Sequence, residues 1–125
     1  MFGVRLISFL CIVILSKHVS AEKDWQCGTN TLIEKISWFL TQTSDQYALN
    51  KCCKEHDYAY DRIDEQFPKR NSYSFSKYRE ADRKFEFCLD SACRDTYDRY
   101  VVKPIFTGAV RAYTWVTEKL SIFFG

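Results

Sequence analysis

The run Cys52-Cys53-Lys54-Glu55-His56-Asp57-Tyr58-Ala59-Tyr60 decides how this 125-residue chain is read. On a helix, residues three and four apart share a face. Cys52, His56 and Tyr60 therefore stack along one side, and Cys53, Asp57 and Tyr60 along a slightly rotated one. Adjacent residues on a helix point about 100° apart, so Cys52 and Cys53 are poorly placed to bridge each other and would tie their helix to two different elements. Downstream, Asp82, Phe85, Cys88 and Leu89 form a line of the same period. A Cys52–Cys88 bridge would clamp the two helices side by side and antiparallel. At a rise of about 1.5 Å per residue, Asp82 would then fall between His56 and Tyr60. A histidine with a carboxylate neighbour is the arrangement a general base requires, because the carboxylate holds the tautomer and stabilises the imidazolium. A lone histidine on a helix is more often structural; here its neighbours favour chemistry.

Outward from this run, four segments carry helical periodicity. The first covers Leu32 to Leu40, with Leu32, Ile36, Phe39 and Leu40 on one stripe. The second begins near Ser44 or Asp45, either a good N-cap, and runs toward Glu65. The third follows Ser76 to about Tyr97, after a loop at Phe67 to Ser72 and a possible strand stub at Ser72 to Phe75. The fourth starts after Pro104, a residue suited to a first helical turn, and carries the stripe Ile105, Ala109, Tyr113, Val116 and Leu120. Glycine and proline are too scarce for a β-sandwich built on tight turns. The expectation is a mainly helical, all-α, small disulfide-stapled fold with two long antiparallel helices.

Residues 1–21 read as a secretory leader: one positive charge, an apolar run from Leu6 to Leu15, and Val19-Ser20-Ala21 as a small-residue cleavage site. The expected domain is residues 22–125, secreted. Of the 18 basic residues, Arg5 and Lys17 fall in the leader, leaving 16 against 16 acidic ones. A near-neutral domain lacks the basic footprint of a nucleic-acid binder. Cys11 also falls in the leader, so five cysteines remain: Cys27, Cys52, Cys53, Cys88 and Cys93. In an oxidising compartment, two bridges and one left-over thiol is the simplest count, with an intermolecular bond as one fate of that thiol. Of the 21 aromatic residues, Phe2 and Phe9 belong to the leader, and most of the remaining 19 are expected in the core. Trp25, Trp38 and Trp115 are candidates for an interfacial ring. The last helix, with Phe123 and Phe124, is read as packed, with membrane-seeking as the alternative.

Cys-Cys-x-x-His-Asp on a helix, followed by Asp82 and then Cys88 six residues on, resembles the secreted phospholipase A2 family. The resemblance covers Trp25 to about Leu89 in patches, and its short spacing from His56 to Asp82 is closer to the bee-venom-type branch than to the pancreatic type. It implies calcium-dependent hydrolysis of the sn-2 ester of glycerophospholipids at a membrane or micelle surface. His56 would be the base that activates water, Asp82 its partner and Tyr60 the network tyrosine. One weakly held calcium ion would sit on Asp57 and on backbone carbonyls near Gln26, Gly28 and Asn30. Cys27–Cys53 and Cys52–Cys88 would be the bridges, leaving Cys93 over. Two departures stand out. Ala59 and Ala81 occupy positions where the family has a bonded cysteine pair, so both halves of one bridge are gone together. The loop reads Cys27-Gly28-Thr29-Asn30 where the family has Cys-Gly-x-Gly, and Asn30 could replace the second glycine if it takes a left-handed backbone. The altered loop keeps open a catalytically silent lipid- or protein-binding scaffold. A zinc site of Cys52, Cys53, His56 and Cys88 is disfavoured, because neighbouring ligands on one helix suit a tetrahedron poorly. A saposin-like module would not require His-Asp beside Cys-Cys.

Overall fold

The computed structural model describes residues 24–124; the expected leader lies outside the described residues. Helix α1 spans Thr31–Leu40, α2 Gln46–Gln66, α3 Ser72–Ala92 and α4 Lys103–Phe124, and a π-helical turn, Asp98–Val102, leads directly into α4. There is no strand among the described residues.

The starts of the first three helices are written in side chains. Asn30 caps α1, its Oδ1 accepting the Ile33 N–H at 3.0 Å. Asp45 does the same for α2 through the Ala48 N–H at 3.1 Å. Asn71 and Ser74 form a reciprocal capping box at α3. Each such cap is worth about 1 kcal/mol. The box corrects the expected strand stub: Ser72 to Phe75 is the first turn of α3, because Asn71 and Ser74 satisfy the backbone donors that a strand would have left for a neighbour. At its other end α3 stops at Ala92, short of Tyr97. The chain then turns through Asp95, whose carboxylate accepts the Asp98 N–H at 2.7 Å.

Helices α2 and α3 are antiparallel. Their cross-contacts run in opposite directions along the two chains: Cys52 with Cys88, His56 with Asp82, Asp64 with Tyr78. Helix α4 returns antiparallel to α3, with Lys103 paired to Asp90, Arg111 to Glu86 and Arg79 to Glu118. Both expected bridges are present: Cys27–Cys53 ties the N-terminal segment to α2, and Cys52–Cys88 ties α2 to α3. Loops of 26 and 36 residues make each worth on the order of 3–4 kcal/mol. The core gathers around them from Trp25, Trp38, Leu49, Phe85, Leu89, Val102 and Phe106. Trp25 and Trp38 meet edge to face at 5.3 Å.

Two expectations about the apolar residues are overturned. The aromatic residues are mostly outside the core; Trp25, Trp38, Phe75, Tyr78, Phe85 and Phe106 are the buried ones. Burial also removes Trp25 and Trp38 from any interfacial ring, while Trp115 remains exposed. Both helical stripes face outward: Leu32 and Phe39 of α1 are 66% and 65% exposed, and Ile105, Tyr113, Val116 and Leu120 of α4 are exposed as well. In α4 the inward face beyond Val110 is instead Thr114, Thr117 and Ser121. Periodicity located these helices; α4 packs through Phe106, Val110 and Thr114 rather than through its apolar stripe.

Candidate active site

The α2–α3 hairpin brings His56 and Asp82 together as the spacing predicts. His56 Nε2 lies 2.8 Å from Asp82 Oδ1. An ionised carboxylate only accepts hydrogen bonds, so Nε2 carries the proton and Nδ1 keeps its lone pair. The imidazole is held between the rings of Tyr60 and Phe85, at 4.3 Å and 4.8 Å. Asp82 is 3% exposed. Its negative charge is sustained by three donors: His56 and Tyr60 on Oδ1, the latter at 2.5 Å, and Thr114 on Oδ2 at 2.7 Å. Burial and the Asp82 carboxylate push the Tyr60 phenol well above its ordinary range, so it remains a donor.

Thr114 was missed by the sequence reading. It reaches the site from α4, 32 residues beyond Asp82, and its hydroxyl oxygen also lies 2.5 Å from that of Tyr60. Two hydroxyl protons thus serve three contacts among Asp82, Tyr60 and Thr114. The available signal was a seven-residue recurrence of hydroxyls, Thr107, Thr114 and Ser121, opposite the apolar stripe.

Asp57 projects beside His56. Burial of its carboxyl raises its pKa to about 6; the His56 imidazole opposes the shift, and the Asp61 and Glu34 carboxylates add to it. A cation would relieve that accumulation of negative charge. The N-terminal segment is fixed against α2 by Asn50, which accepts the Gln26 N–H at 2.8 Å and donates to the Asp24 carbonyl at 2.6 Å. Gly28 has φ +145° and lies on the first turn of α1, where a Cβ would meet the Glu34 nitrogen at 2.6 Å. Any other residue would push α1 away from this segment.

Asn30 stands differently from the expectation. Its backbone is extended, φ −152°, its side chain caps α1, and its carbonyl accepts the Glu34 N–H at 2.9 Å. The Cys27 carbonyl accepts the Ser37 hydroxyl. The chain therefore enters α1 where the family loop would continue. Asn30, with its side chain and carbonyl both committed to α1, does not fit the expected calcium ligand set, which leaves Asp57, Gln26 and Gly28 as its candidates. Among the described residues no three His, Cys, Asp or Glu side chains converge on a metal position.

Cys93 is the left-over thiol, 1% exposed at the end of α3. An intermolecular bond through it would require that end of α3 to open. Burial, with Asp98 nearby, raises its thiol to about 11. No family model, curated protein or solved structure matches this chain.

Proposed function

We propose that this chain is a secreted hydrolase of phospholipase A2 type, cleaving the sn-2 ester of glycerophospholipids to a fatty acid and a lysophospholipid. The observation that carries the reading is the His56–Asp82 pair, with Nε2 bound to a buried, triply hydrogen-bonded carboxylate and Nδ1 left to accept a proton. Nδ1 takes a proton from water as that water attacks the ester carbonyl. Asp82 stabilises the imidazolium, and the proton then passes to the leaving alkoxide. Asp57, Gln26 and Gly28 are the residues that would hold one calcium ion. Bound there, the ion would supply charge to polarise the carbonyl and steady the oxyanion.

The outward apolar faces of α1 and α4 support a phospholipid surface or micelle as the partner. Leu32, Ile33, Ile36 and Phe39 on one helix, and Trp115, Ile122, Phe123 and Phe124 on the other, are exposed. Exposed apolar side chains gathered on a helix in this way suit a contact with lipid or protein. Lys119 lies over the Trp115 ring at 6.0 Å, a pairing suited to a lipid–water boundary. Among the described residues no helix is long and apolar enough to cross a membrane, so the contact would lie on the surface.

The deciding experiment is turnover of mixed-micelle phospholipid with and without calcium, in the mature protein and in His56→Gln. Wild-type turnover that disappears in the variant, with an unchanged melting temperature, supports the hydrolase. Equal turnover in both would make another group the base and end this reading. A second reading, a silent lipid- or protein-binding scaffold, is favoured by the commitment of Asn30 to capping α1. It predicts vesicle binding without turnover at any calcium concentration.

A further inference from the structure

A second set of polar groups lies along the same α3–α4 seam, away from the His56–Asp82 pair. A groove of about 380 Å³ is lined by Arg99 of the π-helical turn, Lys103, Thr107, Gly108 and Arg111 of α4, and Glu86 of α3. Measured along α4, Thr107 lies about 10 Å from Thr114, and the groove shares no residue with the catalytic cluster. Three cations gather here in a domain whose acidic and basic residues balance overall, 16 against 16.

Their pairing is uneven. Lys103 meets Asp90 and Arg111 meets Glu86, both at the surface, where such pairs contribute little and yield to a better acceptor. Among the described residues Arg99 has no acidic partner. The second observation is Thr107, 8% exposed, whose hydroxyl has no hydrogen-bond partner among the described residues. A buried hydroxyl left unsatisfied costs about 1–3 kcal/mol, and this one belongs to a residue lining the groove. Gly108 beside it has nothing within 4 Å of where a Cβ would stand, which leaves the groove floor open. The helix end contributes nothing, since the Lys103 N–H is already bonded to the Asp98 carbonyl.

We propose that this groove binds a phosphate-type anion, with Arg99 as the principal charge, Arg111 and Lys103 at the rim and Thr107 as the hydroxyl donor. Guanidinium groups match phosphate oxygens in pairs. The same chemistry is offered by free phosphate and by a lipid head group. The inference stands apart from the hydrolase reading, since it uses neither His56 nor Asp82.

The test is titration of the mature protein with inorganic phosphate, alongside co-sedimentation with phosphatidylcholine vesicles with and without phosphatidate. Wild type, Arg99→Gln and Thr107→Val are compared. Loss of one charge-assisted hydrogen bond implies at least about tenfold weaker binding in Arg99→Gln. Thr107→Val should also bind more weakly while melting no lower than wild type, because valine removes the unsatisfied hydroxyl at constant shape. Phosphate binding that depends on Arg99, without any phosphatidate effect on the vesicles, assigns the groove to a free phosphate. Phosphatidate-dependent sedimentation that Arg99→Gln removes assigns it to a head group. Absence of both, or binding that neither substitution changes, overturns the proposal.

Discussion

Thr114 donates to Asp82 Oδ2 at 2.7 Å, joining the last helix to the carboxylate that His56 depends on. The hairpin alone supplies His56, Tyr60 and one oxygen of Asp82. The other oxygen is fixed from α4, so the last helix is a working part of the site. Thr114→Val should lower kcat about tenfold, as expected for losing a hydrogen bond to a charged group. Thr114→Ser should restore most of it. The His56 imidazole resonances should move in the valine variant and return in serine. A kcat equal to wild type in the valine variant would reduce Thr114 to packing.

Asp82→Asn tests the carboxylate itself. An amide can present N–H to His56 and so favour the tautomer with the proton on Nδ1, where no base is left. Turnover should fall less steeply than in His56→Gln, with KM nearly unchanged, since neither residue is among the exposed apolar side chains of α1 and α4. Steady-state kinetics on mixed micelles measures both.

The Cys52–Cys88 bridge sets the register of His56 against Asp82. Replacing both cysteines by alanine should cost on the order of 3–4 kcal/mol, read by urea unfolding. Turnover should also fall at temperatures where the variant is still folded. A variant that loses stability and keeps full kcat would show that packing alone maintains the register.

Cys93 makes a pH prediction. Its thiol is raised to about 11 in the folded chain from an ordinary value of 9.0. The unfolded chain therefore releases this proton first, and the released proton favours unfolding. Stability is intact below pH 9 and falls as pH rises from about 9 to about 11. Cys93→Ala should flatten that part of the curve in thermal melts. At neutral pH, alkylation of native protein should be slow and become rapid in denaturant.

The exposed end of α4 gives a prediction on binding. A double change, Trp115→Ser with Phe123→Ser, should weaken vesicle partitioning at least tenfold, since each aromatic is worth about 1.5–3 kcal/mol when buried. The melting temperature should stay the same or rise, because neither side chain is buried in the free protein.

The hairpin was legible because one period and two cysteines set its geometry: His56, Tyr60 and Cys52 share a face whether or not the rest of the chain is known. The Cys52–Cys88 bridge followed from the same run, and Cys27–Cys53 from the family resemblance. The role of α4 was not legible. Its apolar stripe obeys the helical period, and the usual reasoning turns such a stripe inward; Thr114 occupies that side because Asp82 and Tyr60 supply partners for its hydroxyl there. The start of the third helix at Ser72, ahead of the expected start after Ser76, was not legible because Ser72 to Phe75 has the composition of a short strand, while the capping box of Asn71 and Ser74 acts through backbone donors that composition does not display. Asn30 was placed by analogy of the loop, whereas its neighbours Thr31 to Leu40 form a helix that needs a cap.

The burial of Cys93 bears on how the chain acquires its covalent form. Five thiols can combine in many ways during oxidation, and Cys93 lies only five residues from Cys88, close enough to compete for either partner on α2. The native pairing is the one in which the fifth sulfur ends inside the core. A mispaired intermediate would leave one of the other cysteines reduced and draw Cys93 out from beside Val102 and Phe106, exposing apolar surface along with a reactive thiol. Such a species remains open to exchange, and the native one is closed to it. Burial of Cys93 in the core would thus favour the native pairing, and changes that loosen its packing should appear first as scrambled disulfides in the expressed protein.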